Sequence, residues 1–336
     1  MILSRIFKSI KARLPIPLQF LIEVLSYWRR LCRYNACIYT NCDIRKMQYT
    51  LLRENHIIEK GMSIRDTRRG FGQTKVLALI ERLQKYNKLY GDKDRDFLIY
   101  PLSTIKTYIS YQHNEKVNIP EIEDSFTSLC YEARINPEAL CMQAGIEIMQ
   151  AKDLRTKAKG DFKSLLYSRH SIRYFKDQQP SKESLEQALE LASRTPSACN
   201  RQAWHTHIYF GDDAHELLQM QGGCNGFSDD IPCCVVVTAD MKGFLSHEPF
   251  QCFIDGGLYA QNLINALHFV GLGAIPLSCG FFSSQLLDIQ KRYDIPKNEV
   301  MIVIIGTGIT YDEMKIAVSA RKSVTATNKY HVNETM

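Results

Sequence analysis

The spacing of apolar residues divides this chain into a helical first part and a mixed second part. Between residues 46 and 160 apolar positions recur at helical intervals, as in residues 75–83 and again from Phe97 to Tyr111. The pattern predicts a mainly α-helical accessory domain over residues 46–160. A basic helical segment is expected before it, over residues 1–45.

A polar connector ends this helical part of the sequence. It runs from Ala151 to Asp161 and is rich in lysine, which is typical of an exposed boundary between domains. Beyond it, helical and strand patterns alternate. We therefore expect a second domain over residues 161–326 and a polar tail over residues 327–336.

The second domain begins with a well-marked helix. Ser181 and Glu183 favour a helix start, and Pro196 requires the helix to end before it. The apolar residues between them share one helical face: Leu185, Ala188, Leu189 and Ala192.

Three apolar runs in the same domain predict β-strands, over residues 204–210, 231–239 and 299–306. Between the last two, residues 252–270 predict a long helix that contains several small residues and ends at Gly271. Strands and helices of this kind indicate an α+β domain.

The composition is that of an ordinary globular protein. With 336 residues, 45% hydrophobic and 23% charged, the chain is long enough for two or three domains. Its eleven cysteines follow no regular framework, so reduced thiols and a cytoplasmic location are expected. Cys32, Cys37 and Cys42 recur at a spacing that matches no usual metal site, and we expect buried packing rather than a metal.

Positive charge is concentrated at the N-terminus. Residues 1–34 contain seven Arg or Lys against Glu23 alone, which equals the whole formal charge of +6. The apolar run from Leu14 to Trp28 is too short for a comfortable bilayer span, and no cleavage site follows it. Two interpretations stay open: peripheral contact with an anionic membrane surface, or a helix packed on the protein with its charges in water.

A glycine-flanked aromatic residue, Phe71, follows Arg68 and Arg69 in the first half of the chain. The segment fits a lid over a bound anion. It fits equally well a surface loop after a helix capped by Gly61.

Two polar motifs in the second domain carry the candidate chemistry. The first reads Arg-His-Ser-Ile-Arg over residues 169–173, and the second reads Pro-Ser-Ala-Cys-Asn-Arg-Gln-Ala-Trp over residues 196–204. Arginine pairs bidentately with phosphate, and neutral donors and acceptors suit sugar hydroxyls. Together the motifs indicate a ligand in which a phosphate is joined to a polyol.

Other common chemistries lack their motifs. The sequence has no Walker A loop, no Gly-x-Gly-x-x-Gly fingerprint and no regular zinc-ligand pattern. The basic N-terminus lacks the interleaved aromatic residues of a single-strand nucleic-acid groove, so we expect no nucleic-acid partner.

The two motifs resemble those of the FMN-dependent nitroreductases, whose domains begin with Arg-x-Ser-x-Arg and continue through a helix to Pro-Ser-x-x-Asn-x-Gln-x-Trp. The resemblance covers residues 161–326. It implies an α+β fold with a nitroreductase-like sheet flanked by helices, here preceded by the mainly α-helical domain. Ala203 departs from the pattern, because many members carry proline there, and this change should loosen the turn without removing a ligand.

The resemblance also implies a set of FMN-binding residues. Arg169, Arg173 and the late Arg321 would hold the phosphate, and the loop after the long helix would meet the flavin ring through backbone N–H groups. The full set is Arg169, His170, Ser171, Arg173, Ser197, Asn200, Gln202, Pro276, Ser278, Cys279, Gly280 and Arg321. Many relatives have glutamate in that loop and this chain has none, which leaves its reductant and substrate preference open.

As a function, the resemblance implies electron transfer from NADH or NADPH through FMN to an electron-poor small acceptor. The flavin carries the chemistry, so no side chain is assigned as catalytic, although Cys199 and Cys279 fit either a redox thiol or buried packing. It also implies a homodimer through helix 252–270, with internal packing as the alternative. Two other functions stay open: a flavin-dependent oxidase or dehydrogenase of a biosynthetic intermediate that needs no nicotinamide, and a non-catalytic flavin-binding interaction protein.

Overall fold

The computed structural model describes residues 15–34, 44–140, 144–244 and 248–331. Its contacts divide the chain into two compact units. The sheet unit contains residues 1–40 and 148–316, and the helical unit contains residues 41–147 and 317–336. The sequence placed the corresponding boundary at residues 160 and 161, so the polar connector belongs to the sheet unit.

The first half of the chain is helical, as its apolar spacing predicts. Its helices are α1 (Ile16–Tyr34), α2 (Ile44–Met62), α3 (Gln73–Tyr90), α4 (Ile99–Asn114) and α5 (Pro120–Ala133). One face of α3 is buried in the core of the helical unit through Val76, Leu79, Ile80, Leu83 and Tyr86. Proline at the first position of α5 fits a helix start, where its missing N–H is not needed.

Phe71 is part of the packing of this helical unit. Its ring lies edge-on to Tyr108 and Tyr111, with centroid distances of 5.5 and 5.9 Å. A Cβ on Gly61 would lie 2.3 Å from the Phe71 ring, so this glycine, which lies inside α2, makes room for the ring. Arg69 donates to the carbonyls of residues 115 and 116. Phe71 is therefore an internal anchor and not a lid.

The second half of the chain alternates helices and strands. These elements are β1 (Ile146–Gln150), α6 (Ala151–Ala158), α7 (Phe162–Ser168), α8 (Lys182–Ala192), β2 (Trp204–Phe210), α9 (Gly211–Gln221), β3 (Cys233–Asp240), α10 (Gln251–Phe269), β4 (Gly273–Ser278), α11 (Ser283–Arg292), β5 (Glu299–Gly308), β6 (Glu313–Ala317) and α12 (Val324–Thr327). Strands β1 and β6 form a two-stranded sheet.

The main sheet has the strand order β2-β3-β5-β4 with antiparallel pairing throughout. Strand β3 lies inside this sheet and is almost continuously buried, as expected of an unbroken apolar run. Helices α8 and α10 share its core, where Leu185 and Leu263 are buried together with Val235. The expected α+β fold, with a sheet flanked by helices and a helical region before it, is confirmed.

The helix predicted within the basic N-terminal segment is α1, and its apolar side chains are exposed. These are Ile16, Leu18, Phe20, Leu21, Val24, Leu25 and Trp28. The described part of α1 therefore does not show the packed helix that the sequence offered as one interpretation. None of the described helices is both long and apolar enough to cross a bilayer. Cys37, Cys42 and the side chain of Cys32 lie outside the described residues.

Candidate functional site

The segment of residues 169–173 is held at the edge of the main sheet. Ser171 pairs in parallel with Ala274 of the edge strand β4, and the Ile172 N–H donates to the Ala274 carbonyl at 3.0 Å. A Cβ on Gly273 would lie 3.2 Å from Ile172 Cβ, so glycine permits this close approach. Arg173 is only 5% exposed, which places one of the predicted phosphate ligands inside the protein.

A small pocket opens beside this segment. It is bounded by α6, the end of α10 and β4, and the predicted ligands Arg169 and His170 line it. Arg155 and His268 line the same pocket, although no motif singled them out. The pocket therefore combines apolar walls with several basic groups, which suits an anion attached to a less polar body.

His268 is neutral in this pocket at physiological pH. Burial, together with the neighbouring charges of Arg169 and His170, lowers its pKa to about 4. Its Nε2 lies 2.8 Å from the Ser168 hydroxyl, the last residue of α7 before Arg169. His268 thus fixes the start of the predicted phosphate segment without adding a positive charge.

The loop of residues 197–202 has an unusual backbone. Cys199, Asn200 and Gln202 have φ values of 50°, 54° and 48°, in the left-handed region that non-glycine residues rarely adopt. Such residues cost about 1–2 kcal/mol each, so contacts elsewhere must hold the loop. A constrained loop of this kind is typical of a binding site.

A charged pair clamps this loop. Arg201 forms a bidentate contact with Glu248, with N–O distances of 2.7 and 2.9 Å, and its Nε donates to the Ala198 carbonyl at 2.9 Å. The hydrogen bond to Glu248 raises the pKa of Arg201 above its usual value. The Ala198 N–H in turn donates at 3.1 Å to Asp255, a carboxylate at the start of α10 that is 1% exposed.

The predicted ligands on the loop are arranged by contacts with one another. Gln202 Nε2 donates to Asn200 Oδ1 at 3.1 Å, and the Gln202 N–H donates to the Ser197 hydroxyl at 3.0 Å. Asn200 and Gln202 are exposed. The amide groups are therefore ordered and accessible without any change in the backbone.

The two halves of the predicted set lie at opposite ends of α10. The loop is bonded to Asp255 at the start of this helix, whereas Ser168 contacts His268 at its end. A helical rise of about 1.5 Å per residue puts Asp255 and His268 roughly 20 Å apart. In one copy of the chain, the two halves are therefore attached to opposite ends of this helix.

The third predicted region is strand β4 and the residues after it. Pro276 and Ser278 are exposed and alternate with the buried Ile275 and Leu277, as the two-residue period of a strand requires. Gly280 is exposed as well.

Cys279 lies between these residues, and burial raises the pKa of its thiol to about 12. The thiol is therefore protonated and unreactive at neutral pH, which favours packing over a redox role.

Arg321 belongs to the helical unit. It is exposed, and its Nη1 donates to the Ser319 carbonyl. Its assignment to the phosphate, alongside Arg169 and Arg173, stays a prediction. Within the described ranges, no group of three or more His, Cys, Asp or Glu side chains is placed to hold a metal ion.

Comparison with known proteins identifies the family of the sheet unit. The profile of the nitroreductase family matches residues 166–309. A curated protein of Archaeoglobus fulgidus, provisionally named an NADH dehydrogenase/NAD(P)H nitroreductase, is 30% identical over 153 residues, which cover 44% of this chain and 85% of the relative. The chain belongs to the nitroreductase family.

Two further similarities cover the same half of the chain. A protein of Methanothermobacter thermautotrophicus with the same provisional name is 24% identical over 151 residues, covering 45% of this chain and 78% of the relative. A nitroreductase-type protein of Desulfovibrio desulfuricans, solved in complex with FMN, is 18% identical with a TM-score of 0.44, covering 52% of this chain and 98% of that chain. The resemblance to this family that the two motifs indicate is confirmed.

Proposed function

We propose that this nitroreductase-family chain is an FMN-dependent oxidoreductase that passes electrons from NADH or NADPH to an electron-poor small acceptor. The observation that carries the proposal is the pairing of residues 169–173 with β4. This pairing sets basic phosphate ligands and the exposed end of β4 on one edge of the sheet. Two curated relatives named as NAD(P)H nitroreductases support the choice of reductant.

The side chains at this edge fit the parts of FMN. Arg169 and Arg173 would hold the phosphate, with Arg321 as a further candidate, and Ser171 would bond the ribityl chain. The exposed backbone around Ser278 and Gly280 would meet the edge of the ring. When bound, FMN supplies reversible acceptance of two electrons. The protein needs only to bind, orient and shield it, which agrees with a protonated Cys279 thiol.

The site is proposed to be shared between two copies of the chain. Residues 197–202 and the pocket beside Arg169 lie at opposite ends of α10. The same helix exposes Phe253, Ile254 and Leu258, and a Cβ on Gly257 would meet no atom within 4 Å. A homodimer through this face would bury apolar surface and place the loop of each copy at the site of the other.

The free cysteines of the chain support a cytoplasmic location. The seven cysteines whose side chains are described are free, and most are buried. We propose a cytoplasmic enzyme on this basis, because free thiols persist in reducing compartments.

The absorption spectrum of the purified full-length protein tests the function. A yellow protein whose flavin bands bleach anaerobically on addition of NADH or NADPH, and return with a nitro compound or quinone, is expected. A colourless protein that cannot be loaded with FMN would end the proposal. Bound flavin that no nicotinamide reduces would instead favour an oxidase of a biosynthetic intermediate or a non-catalytic role.

A further inference from the structure

Helix α1 presents an apolar face that the described protein leaves uncovered. Trp28 is 58% exposed and Leu25 is 47% exposed, and Phe20 and Leu21 are exposed to a similar degree. Water-exposed apolar residues are ordinary when scattered, but a continuous patch of aromatic and aliphatic side chains marks a contact surface. The patch includes none of the residues proposed to bind FMN.

The sequence of α1 has a regular amphipathic period. Positions 18, 21, 25 and 28 follow one another at helical spacing and are occupied by leucine or tryptophan. Positions 19, 23, 26, 30 and 33 follow the same spacing and are occupied by glutamine, glutamate, serine and arginine. A helix with this division has one apolar side and one polar side along its whole length.

The charge around this helix is strongly positive. Residues 1–34 carry seven Arg or Lys and one acidic residue, Glu23, while the remainder of the chain is formally neutral. Four of these basic residues precede α1, and three lie in its second half. Basic residues flanking an apolar helical face are complementary to anionic lipid headgroups, and an exposed tryptophan suits the boundary between headgroups and acyl chains.

We propose that helix α1, in a strongly basic N-terminal sequence, binds the surface of a membrane that contains anionic phospholipids. Helix α1 lies in the plane of the interface, with Leu21, Leu25 and Trp28 among the acyl chains. The 19-residue α1 does not span the bilayer. Attachment is peripheral and depends on both apolar burial and charge, so the enzyme exchanges between membrane and solution.

Vesicle flotation with the full-length protein tests this proposal. We expect flotation with vesicles of phosphatidylcholine and phosphatidylserine and not with phosphatidylcholine alone. Salt at about 0.5 M should release the protein, because the lipid attraction is screened. Leu25→Asp with Trp28→Asp should lower partitioning at least about a hundredfold. Arg29→Gln and Arg30→Gln should lower it about fivefold each.

Tyr131→Asp is the matched control for the apolar substitutions. Tyr131 is 86% exposed on α5 of the helical unit, so the change replaces an exposed ring with a carboxylate outside α1. This variant should float as the unchanged protein does. Thermal unfolding followed by circular dichroism should show that all variants remain folded.

Tryptophan fluorescence reports on α1 directly. The chain contains two tryptophans, and Trp204→Phe keeps an aromatic ring against Tyr259 while leaving Trp28 as the only indole. Emission of this variant should shift to the blue when vesicles with phosphatidylserine are added, and lipids brominated at shallow positions should quench it.

Three results would overturn the proposal. The first is the absence of flotation and of any shift with anionic vesicles. The second is a blue shift that depends on protein concentration without lipid, which would mean that α1 binds a second copy of the chain. The third is equal flotation of the Leu25→Asp, Trp28→Asp variant, which would place lipid contact elsewhere.

Discussion

Backbone pairing holds residues 169–173, whereas side-chain contacts hold residues 197–202. In the first segment the Ile172 N–H is bonded to β4, and substitution of a side chain leaves this bond in place. In the second, three left-handed residues depend on the clamp between Arg201 and Glu248. An FMN-binding side chain of the first segment can therefore be removed without moving its neighbours. The second segment can lose its shape through a substitution at a residue that does not itself contact FMN.

The largest predicted effect on FMN binding follows from the separation of these two segments along α10. Arg169→Ala and Asn200→Ala should each lose FMN when purified alone. If two copies share each site, mixed dimers of the two variants contain one intact site, so random pairing restores about a quarter of all sites. Flavin retained after co-expression and gel filtration measures this recovery. No recovery in a mixed dimer would place both segments at the site of one chain.

The next largest expected effect on FMN binding concerns residues 169–173. Arg169→Ala should weaken FMN binding by about 10- to 100-fold, because a hydrogen-bonded charge pair with phosphate is lost, with little change in thermal stability. Arg194→Ala, which removes an exposed arginine near the second segment, is the control and should bind normally. Quenching of FMN fluorescence measures both. Equal affinities for the two variants would contradict the assignment of the phosphate.

Loss of the clamp should have a smaller effect. Arg201→Ala or Glu248→Ala should weaken FMN binding by about tenfold, because the left-handed loop relaxes and Asn200 and Gln202 must be ordered again on binding. The double variant should be no worse than either single variant, as a coupled pair requires. Exchange of the two residues, Arg201→Glu with Glu248→Arg, should restore part of the affinity. Additive losses would mean that the two residues act separately.

His268 should affect stability more than cofactor binding. Its folded pKa of about 4 lies below the ordinary value of 6.5, so the unfolded chain binds a proton that the folded chain does not. Stability is therefore full above pH 6.5 and falls as the pH drops towards 4, by up to about 3 kcal/mol. His268→Gln should flatten this fall in urea unfolding, and the exposed His205→Gln should not. An unchanged slope would contradict the neutral imidazole.

The sequence predicted those features that depend on local periodicity. The apolar stripe of Leu185 and Ala188 locates α8, and the Ser181 side chain caps it by accepting from the Ser184 N–H, as its position indicates. The apolar run through Val235 to Val237 locates β3. In each case neighbouring residues share one face or one strand, so spacing alone carries the information.

Contacts between distant residues could not be predicted in this way. Arg201 meets Glu248 and Ser168 meets His268 only because α10 spans the sheet and carries its two ends to different segments. Arg155 reaches the pocket from a connector that reads as solvent-exposed. No sequence motif and no hydrophobic periodicity distinguishes such residues from their neighbours. The left-handed backbone of Cys199 likewise follows from tertiary contacts, since cysteine has no preference for it.

Residues 317–336 belong to the helical unit, and this limits how the chain can be cut into folded fragments. The Val318 N–H is bonded to the Gly145 carbonyl at 3.1 Å, so the segment that carries Arg321 is supported by residues from the other end of the sequence. A fragment that begins at residue 148 would include Arg321 but lose this support. The helical unit is therefore not a detachable N-terminal fusion. Residues from both ends of the sequence therefore belong to one folded unit, and truncation at either end would remove part of it.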